Sequence, residues 1–382
     1  MKKFALLSLC AALLLGLFCG CGIKKIDNEY LYTLEGTWEG ARDFSEGLAA
    51  VKKDGKWGYI NTDGEMVIDP IYDSANSFSE GLAAVQSKGR WGYINTKGET
   101  VIAFTMDSTF AFSDGMAVFA SGIYYGYINR EGKVVIKATY EEAGNFHNGI
   151  ACVKEGVRYG FIDKEGNKLT EFEYGLKSKL SEGLIPVFYG DTSKGINTGY
   201  IDATGKQVLE FRWYEAKDFS NGLAAAKDEY TKPWGYINQS GEYVIAPQWD
   251  FAEDFSFGFA LVQKDRKYFY IDTTGAPLST GDYTKAYSFT EEGLARVGIT
   301  SGMGYKFGYI GTDGNEIVAP KYENATDFHH GYAAVFNGKK WGFINAQGVE
   351  ISKFYWTEVG EFTEDGIAMV QNGEKYGFIK LK

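Results

Sequence analysis

The chain has 382 residues, of which 45% are hydrophobic and 16% aromatic, with 49 Gly and 6 Pro. Aromatic residues favour strands and Gly serves turns, so this composition favours an all-β protein over a helical one. The formal net charge is −11, which would repel phosphate backbones and anionic lipid headgroups. We therefore expect no nucleic-acid partner and no electrostatic docking on a membrane.

The N-terminus has the layout of a signal peptide. Lys2 and Lys3 precede an apolar run over residues 4–18, which is too short to span a bilayer comfortably. The run leads to Cys21, which directly follows a Gly. A small residue before a Cys resembles the lipobox of bacterial lipoproteins, and this resemblance implies that Cys21 is diacylated. Phe18 stands where a lipobox usually has Leu, so a conventional signal-peptidase cut is the alternative.

Cleavage and acylation at this point divide the chain into three parts. Residues 1–21 are the expected lipoprotein signal peptide, 22–29 a short linker and 30–382 the folded domain. The protein would then be lipid-anchored on the extracytoplasmic side of the cell membrane or the outer membrane. The four cysteines do not make a disulfide framework, since Cys10 and Cys19 fall in the signal segment. Cys152 lies where other repeats have Ala, which predicts a small buried side chain.

Two short motifs recur together along the chain. The first is aromatic-x-x-Gly followed by an apolar run, as in Phe-Ser-Glu-Gly-Leu-Ala-Ala-Val at residues 44–51. The second, aromatic-Gly-aromatic-Ile, recurs every 34 to 39 residues. Such periodicity is the signature of a repeat protein. The first motif begins at Phe44, Phe78, Phe112, Phe146, Leu180, Phe219, Phe255, Phe289, Phe328 and Phe362, and the second at Trp57, Trp91, Tyr125, Tyr159, Thr198, Trp234, Tyr268, Phe307, Trp341 and Tyr376.

Each of these ten repeats is expected to form three short strands. The two motifs supply the first two strands, and an Asn/Asp-x-x-Gly sequence such as Asn61 to Gly64 then predicts a tight turn before a third apolar run. One such meander cannot bury its apolar face alone, so neighbouring repeats must stack. The first ring of the aromatic-Gly motif is the expected packing element, and the Gly after it would allow a close approach.

The repeats resemble the WG-repeat, or KWG-repeat, family of bacterial proteins. Residues 56–60 read Lys-Trp-Gly-Tyr-Ile and residues 340–344 read Lys-Trp-Gly-Phe-Ile, while residues 78–85 match the companion motif. The resemblance covers about residues 30–382 and implies an architecture but no catalytic residues. Two copies depart from the pattern, because Thr198 lacks the aromatic ring and Phe269 replaces the Gly. A specialised site is most reasonably sought there.

The position within the repeat at which the chain begins and ends is compatible with more than one overall shape. The last copy ends without a third strand, and residues 30–34 precede the first copy where a third strand would belong. The N-terminus could therefore complete the final unit and close a propeller-like ring. Because ten blades are many for one propeller and about 34 residues leave little room for a fourth strand, we favour an open or loosely closed superhelical array of three-stranded antiparallel units.

No pattern of catalytic or metal-binding residues accompanies the repeats. His147, His329 and His330 all lie in the first motif's turn, where other copies have Ser, Thr, Glu or Asp, which indicates turn residues. The sequence contains no Gly-x-Ser-x-Gly and no phosphate-binding Gly loop that opens a helix. We therefore predict no enzyme, no cofactor and no metal, although the 50 acidic residues leave accidental carboxylate pairs open.

Two charged stripes also follow the repeat. One consists of acidic residues before the Gly of the first motif, and the other of Lys or Arg before the aromatic-Gly pair. Stacking would align each stripe, either as solvated turn charges or as a charged groove for a ligand. The acidic stripe is Glu46, Glu80, Asp114, Glu182, Glu292 and Asp365, and the basic stripe is Lys56, Arg90, Arg158, Lys267, Lys306, Lys340 and Lys375.

Repetition without a catalytic motif favours a non-enzymatic binding or scaffold module for a protein or a cell-envelope partner. The alternative is a surface lipoprotein that binds carbohydrate or peptidoglycan on exposed aromatic rings.

Overall fold

The computed structural model describes residue 23 and residues 25–175, 180–189, 197–278 and 282–382. Within these ranges the chain forms strands and no α-helix. No helix that could cross a membrane occurs in this part of the chain. The strands are β1 (Leu31–Thr33), β2 (Gly40–Ala41), β3 (Leu48–Lys53), β4 (Lys56–Asn61), β5 (Met66–Tyr72), β6 (Ser74–Ala75), β7 (Leu82–Ser87), β8 (Arg90–Asn95), β9 (Thr100–Met106), β10 (Ser108–Thr109), β11 (Met116–Ser121), β12 (Tyr124–Asn129), β13 (Val134–Tyr140), β14 (Glu142–Ala143), β15 (Ile150–Glu155), β16 (Arg158–Asp163), β17 (Leu184–Tyr189), β18 (Asn197–Asp202), β19 (Gln207–Trp213), β20 (Glu215–Ala216), β21 (Leu223–Lys227), β22 (Trp234–Asn238), β23 (Tyr243–Trp249), β24 (Phe251–Ser256), β25 (Phe259–Lys264), β26 (Lys267–Asp272), β27 (Lys285–Ala286), β28 (Leu294–Ser301), β29 (Gly304–Gly311), β30 (Glu316–Tyr322), β31 (Asn324–Ala325), β32 (Tyr332–Phe336), β33 (Trp341–Asn345), β34 (Glu358–Phe362), β35 (Ile367–Asn372) and β36 (Lys375–Leu381).

These strands make ten small antiparallel sheets, one for each repeat, which we call blades. The arrangement confirms the predicted all-β repeat architecture. In the described residues, six blades have four strands and four have three. Blades 1 to 10 comprise β2–β5, β6–β9, β10–β13, β14–β16, β17–β19, β20–β23, β24–β26, β27–β30, β31–β33, and β34–β36 together with β1.

The fourth strand is a difference from the three-stranded unit expected from the sequence. In blade 1 it is the two-residue strand β2, which pairs with the end of β3 through Gly40 opposite Lys52 and Ala41 opposite Val51. A strand of two residues needs no extra length in the repeat, because the connection between repeats already supplies it. The objection that a 34-residue unit has no room for a fourth strand was therefore wrong.

The ring is closed, which overturns the preference for an open array. β1 pairs antiparallel with β36, so that Leu31 lies opposite Leu381 and Thr33 opposite Ile379. The N-terminal strand thus takes the third-strand position in the last blade. Trp38 and Tyr376 then exchange backbone hydrogen bonds of 2.9 and 3.0 Å across the junction. The position within the repeat at which the chain begins and ends is compatible with this closure. Whether the ring closes is decided by the angle between successive blades, and no single motif encodes that angle.

A two-residue hairpin explains the Gly of the first motif. Ser45 and Leu48 exchange backbone hydrogen bonds of 2.9 and 3.1 Å, and the two residues between them have positive φ values, 54° at Glu46 and 76° at Gly47. Positive φ at both central positions defines a type I′ turn, which matches the twist of the flanking strands. The residue before the Gly therefore adopts the left-handed conformation in copy after copy.

The core consists of ten clusters, each lying between one blade and the next. Between blades 1 and 2, Leu48, Ala50 and Tyr59 pack against Ala83 and Val85. The ring closure is packed in the same way, since a further cluster joins blade 10 to blade 1 and contains Phe44 against Phe378 with ring centroids 5.1 Å apart. Stacked repeats thus bury one continuous apolar core, as the repeat pattern predicts.

The second ring of the aromatic-Gly-aromatic motif is the most deeply buried element of the repeat. Tyr59 is completely buried, whereas Trp57 is half-buried and packs against the same cluster. The first ring therefore takes part in the packing between blades, as expected, together with the second ring. The phenol also donates a hydrogen bond to a backbone carbonyl of the next blade at 2.6 to 2.7 Å. The donors are Tyr59, Tyr93, Tyr127, Tyr200, Tyr236, Tyr270 and Tyr309.

Removing one of these hydroxyl groups provides a test of blade-to-blade bonding. Tyr59→Phe leaves the half-buried carbonyl of Asn76 without the phenol donor, which lies 2.7 Å away. We expect the free energy of unfolding to fall by about 1–2 kcal/mol, measured by chemical denaturation. Tyr32→Phe is the control, since Tyr32 is only half-buried. An effect of Tyr59→Phe no larger than that of Tyr32→Phe would contradict the assigned role.

Candidate ligand-binding site

The residues singled out for special chemistry lie in ordinary repeat positions. Cys152 is buried and reduced, as predicted. His147 and His329 each exchange backbone hydrogen bonds across the two-residue turn, and His330 has the positive φ of that turn, 52°. These positions confirm the three His as turn residues. Cys21, the predicted lipidation site, lies outside the described residues.

No described cluster of three or more His, Cys, Asp or Glu side chains has an arrangement that could hold a metal ion.

The acidic stripe connects neighbouring blades. The Glu46 carboxylate accepts a hydrogen bond of 2.8 Å from the amide of Gly81, the corresponding Gly of the next blade. Glu80, Asp114, Glu182 and Glu292 repeat this contact at 2.6 to 3.0 Å. Where Lys164 also reaches Asp114, its ammonium and the Gly149 amide hold the pKa of that carboxyl below its usual range, although partial burial opposes them. Five members of the acidic stripe thus bridge successive turns.

The basic stripe is likewise engaged within each repeat. Lys56 forms an ion pair with Asp73, which lies 17 residues further on in the connection to the next blade. The hydrogen bond from Lys56 is the main reason that the pKa of Asp73 lies below its usual range. Lys306 and Glu323 repeat the pairing at 2.6 Å. Many residues of both stripes are thus engaged in local contacts. The breaks in the repeat are the next features to consider.

The larger break concerns the first ring of the aromatic-Gly motif. In nine blades this ring joins the apolar cluster between its own blade and the next, and the exception is blade 5, where Thr198 stands in its place. The cluster between blades 5 and 6 contains no side chain from this position. The nine rings are Trp57, Trp91, Tyr125, Tyr159, Trp234, Tyr268, Phe307, Trp341 and Tyr376.

An open cavity of about 560 Å³ lies beside the missing ring. This volume falls within the range of small-ligand sites. Blade 5 contributes Thr198 from β18 and Pro186 and Phe188 from β17. Blade 6 contributes β20 and the residues around it, and blade 7 contributes Asp254. The complete lining is Gly175, Pro186, Phe188, Thr198, Tyr214, Glu215, Ala216, Lys217, Asp218 and Asp254.

A second departure from the repeat shapes the same cavity. Gly175 stands where several other connections carry Asp or Glu after the aromatic residue, as at Asp73, and where three more carry Tyr214, Thr284 or Thr357. Its amide donates a 2.9 Å hydrogen bond to the carbonyl of Phe188. A Cβ atom on Gly175 would lie 2.5 Å from Cδ1 of the Phe188 ring. The Gly therefore allows this ring to lie along the cavity wall, and two independent exceptions to the repeat meet at one place.

The lining is negatively charged. It carries three carboxylates and one ammonium, a formal charge of −2. Lys217 pairs with Glu253 at 2.7 Å, and Glu215 pairs with Lys227 at 2.9 Å. Burial is the main reason that the pKa of the Tyr200 phenol is raised, and Asp254 and Asp218, which also line the cavity, raise it further.

The other break, at Phe269, has a structural cause. In most blades the motif Gly faces the backbone of the third strand, as Gly58 faces the carbonyl of Ile68. Blade 7 has no third strand in its described residues. Phe269 can therefore occupy this position, and its ring lies 6.3 Å from that of Trp249. The sequence indicated both breaks but could not tell which of them forms a cavity.

The fold and the repeat pattern define an all-β ring of stacked sheets. A family model for the WG containing repeat matches ten successive segments, residues 34–57, 57–91, 91–120, 125–156, 159–192, 199–230, 234–268, 268–299, 307–341 and 341–376. The chain belongs to the WG-repeat family. No curated protein sequence matches it.

One of the similar solved structures, a eukaryotic initiation factor, shows the same type of fold. It superposes with a TM-score of 0.53 at 9% identity, covering 81% of this chain and 96% of that one. PorZ, a surface component of the type-IX secretion system of Porphyromonas gingivalis, gives a TM-score of 0.28 at 10% identity over 90% of this chain and 57% of its own. The extracellular domain of a hybrid two-component system of B. thetaiotaomicron gives 0.24 at 10% identity, covering 90% of this chain and 56% of that one.

Proposed function

We propose that this protein is a non-enzymatic binding module of the cell envelope, which captures a protein or another envelope partner through the cavity at blade 5. The observation that carries the proposal is the coincidence of two repeat exceptions, Thr198 and Gly175, at one cavity of ligand size. Cys21 would be acylated and hold the ring on the extracytoplasmic side of a membrane. Nucleic acid is not a partner, because the net charge is −11.

The position of the N-terminal segment supports an anchored ring. Ile23 and Ile26 pack against the apolar cluster of blade 10, and the Ile26 amide donates a 2.8 Å hydrogen bond to the Thr33 hydroxyl. Ile23 lies two positions after Cys21, a span of at most about 7 Å for extended chain. A lipid on Cys21 would therefore hold the ring next to the bilayer with blade 10 closest to it.

Carbohydrate or peptidoglycan is the second candidate ligand. The cavity places the Phe188 and Tyr214 side chains beside the carboxylates of Asp218 and Asp254. Aromatic faces pack on sugar rings, and carboxylates accept hydrogen bonds from sugar hydroxyls. The same cavity would serve either ligand, so one variant tests both.

Thr198→Trp is that variant, because it restores the ring that other blades carry and fills the cavity with it. The immobilised protein is exposed separately to purified cell wall and to extracted envelope proteins. We expect one fraction to bind the wild type and Thr198→Trp to reduce the bound amount at least about tenfold, the effect of losing roughly 1.4 kcal/mol. The variant should be as stable as the wild type or up to about 1 kcal/mol more stable.

Thr96→Trp controls for the added indole, since Thr96 lies exposed in a turn of blade 2. This control should bind like the wild type. Binding of neither fraction by the wild type would refute the proposed function, and unaltered binding by Thr198→Trp would refute the cavity as its site.

A further inference from the structure

The cavity of blade 5 lies where a ring contact of the repeat is incomplete. Phe188 of β17 and Thr198 of β18 stand directly opposite each other in the strand pair, and both line the cavity. Directly opposed side chains of an antiparallel pair have Cβ atoms about 4.5–5.5 Å apart and contact each other. A ring at position 198 would therefore pack against the Phe188 ring, whereas Thr198 supplies only a methyl and a hydroxyl group there.

Blade 9 contains the complete version of this contact. Phe336 of β32 and Trp341 of β33 occupy the same opposed positions, and their ring centroids lie 5.2 Å apart with an angle of 42° between the planes. Two rings in such an arrangement attract each other beyond the gain from apolar burial alone. Blades 5 and 9 are a matched pair, because they alone have Phe opposite the first-ring position.

The other walls of the cavity leave room for a ring. Gly175 carries no side chain, and a Cβ atom there would come within 2.5 Å of the Phe188 ring. Its counterpart in blade 9 is Glu323, whose amide likewise donates a 2.9 Å hydrogen bond to the carbonyl of the Phe on the neighbouring strand. Pro186 and Ala216 add apolar surface. The cavity thus combines one aromatic ring with small apolar groups, in the place where a second ring is missing.

From this geometry we infer that the ligand group that enters the cavity is a planar aromatic ring, which packs against Phe188 in the place of the missing one. The inference rests on the proposed function and specifies its chemistry. The other blades carry an indole, a phenol or a phenyl ring at this position, so an aromatic side chain of a protein partner matches what the repeat itself places there. A free phenol or indole carries the same group.

The test uses the full chain and small probes of matched shape. Ligand-observed saturation-transfer NMR is titrated with p-cresol, which corresponds to the side chain of Tyr, with its saturated counterpart 4-methylcyclohexanol, and with methyl β-glucoside. We expect p-cresol to bind with a Kd on the order of 1 mM. The saturated ring should bind about fivefold or more weakly, the size of one lost ring contact, and the glucoside not detectably.

N-acetyl-tyrosine methylamide then identifies the source of the aromatic group. Tighter binding of this probe than of p-cresol indicates a side chain of a protein partner, because the flanking peptide groups are accepted. Weaker binding indicates a free aromatic compound. Both results support an aromatic ligand.

Variants assign the binding to the cavity. Thr198→Trp should abolish p-cresol binding, because the indole then fills the place of the ligand ring, and Thr96→Trp should leave it unchanged. Phe188→Leu keeps an apolar side chain but removes the ring, so it should weaken p-cresol binding about fivefold. Phe336→Leu is the matched control in blade 9, where Trp341 already occupies the place, and it should have no effect. Thermal unfolding of each variant verifies that it folds.

Equal binding of p-cresol and 4-methylcyclohexanol would overturn the inference, as would p-cresol binding that survives Thr198→Trp or tighter binding of the glucoside than of p-cresol. These outcomes are distinguishable from failure of the proposed function. If Thr198→Trp still abolishes capture of the envelope fraction while p-cresol does not bind, the cavity is the site but its ligand is not an aromatic ring. If neither the fraction nor the probe binds, both proposals fail.

Discussion

Leu31→Asp is expected to lower the free energy of unfolding by about 3–5 kcal/mol, the largest effect of any single substitution considered for this protein. Leu31 is completely buried and belongs to the strand that closes the ring. A carboxylate at this position would be removed from water without a partner. Because β1 would then leave blade 10, the amides of β36 should lose their protection. Chemical denaturation and hydrogen exchange measure the two effects.

Val157→Asp provides the control for the introduced charge. Val157 is 84% exposed in the hairpin turn of blade 4, so its replacement should change the stability by less than about 0.5 kcal/mol. In an open array the first strand would be a frayed end. Leu31→Asp would then lower the free energy of unfolding no more than Val157→Asp does. Equal effects of the two variants would contradict ring closure.

Gly58→Ala is expected to destabilise the protein by about 2–3 kcal/mol. A Cβ atom on Gly58 would lie 2.4 Å from the carbonyl oxygen of Ile68 and 2.7 Å from the backbone nitrogen of Pro70. The close approach arises where the pairing of β4 with β5 shifts register between Trp57 and Tyr59. Since backbone atoms cannot rotate away, the third strand of blade 1 has to move. The loss is measured by chemical denaturation.

Gly342→Ala is the matched substitution in blade 9. Its Cβ atom would first meet a side-chain atom, Cδ1 of Phe354, at 3.2 Å, and a ring can shift slightly at small cost. We expect Gly342→Ala to lower the free energy of unfolding by less than about 1 kcal/mol. If Gly342→Ala were as harmful as Gly58→Ala, the requirement for Gly would come from something other than the third strand.

Local features of the fold could be predicted from the sequence because they depend on residues close in the chain. The Asn61 to Gly64 turn forms as expected, with the Gly64 amide donating to the Asn61 carbonyl at 2.9 Å and a φ of 84° at Gly64. The Gly after the first ring does allow a close approach, as Gly58 demonstrates. The short fourth strand was missed, because two residues are too few for any alternation of polar and apolar side chains.

Features that depend on distant residues could not be predicted. Ring closure requires a rotation accumulated over ten blades, which no single motif encodes. Thr198 was recognised as an exception, but Asp218 and Asp254 meet beside it only because successive blades stack. The charged stripes illustrate the same limit, since the amide that pairs with Glu46 lies 35 residues away. Only the three-dimensional arrangement shows which residues such charges contact.

A photo-crosslinking residue placed at Phe188 tests the account most directly. Phe336 is the matched position, because it occupies the same place on β32 of blade 9 and its ring lies 5.2 Å from that of Trp341, the ring that blade 5 lacks. In intact cells, the residue at 188 should form an adduct that disappears in the Thr198→Trp background, while the residue at 336 should form none. Equal adducts at the two positions, or an adduct at 188 that survives Thr198→Trp, would contradict a binding cavity made by the missing ring.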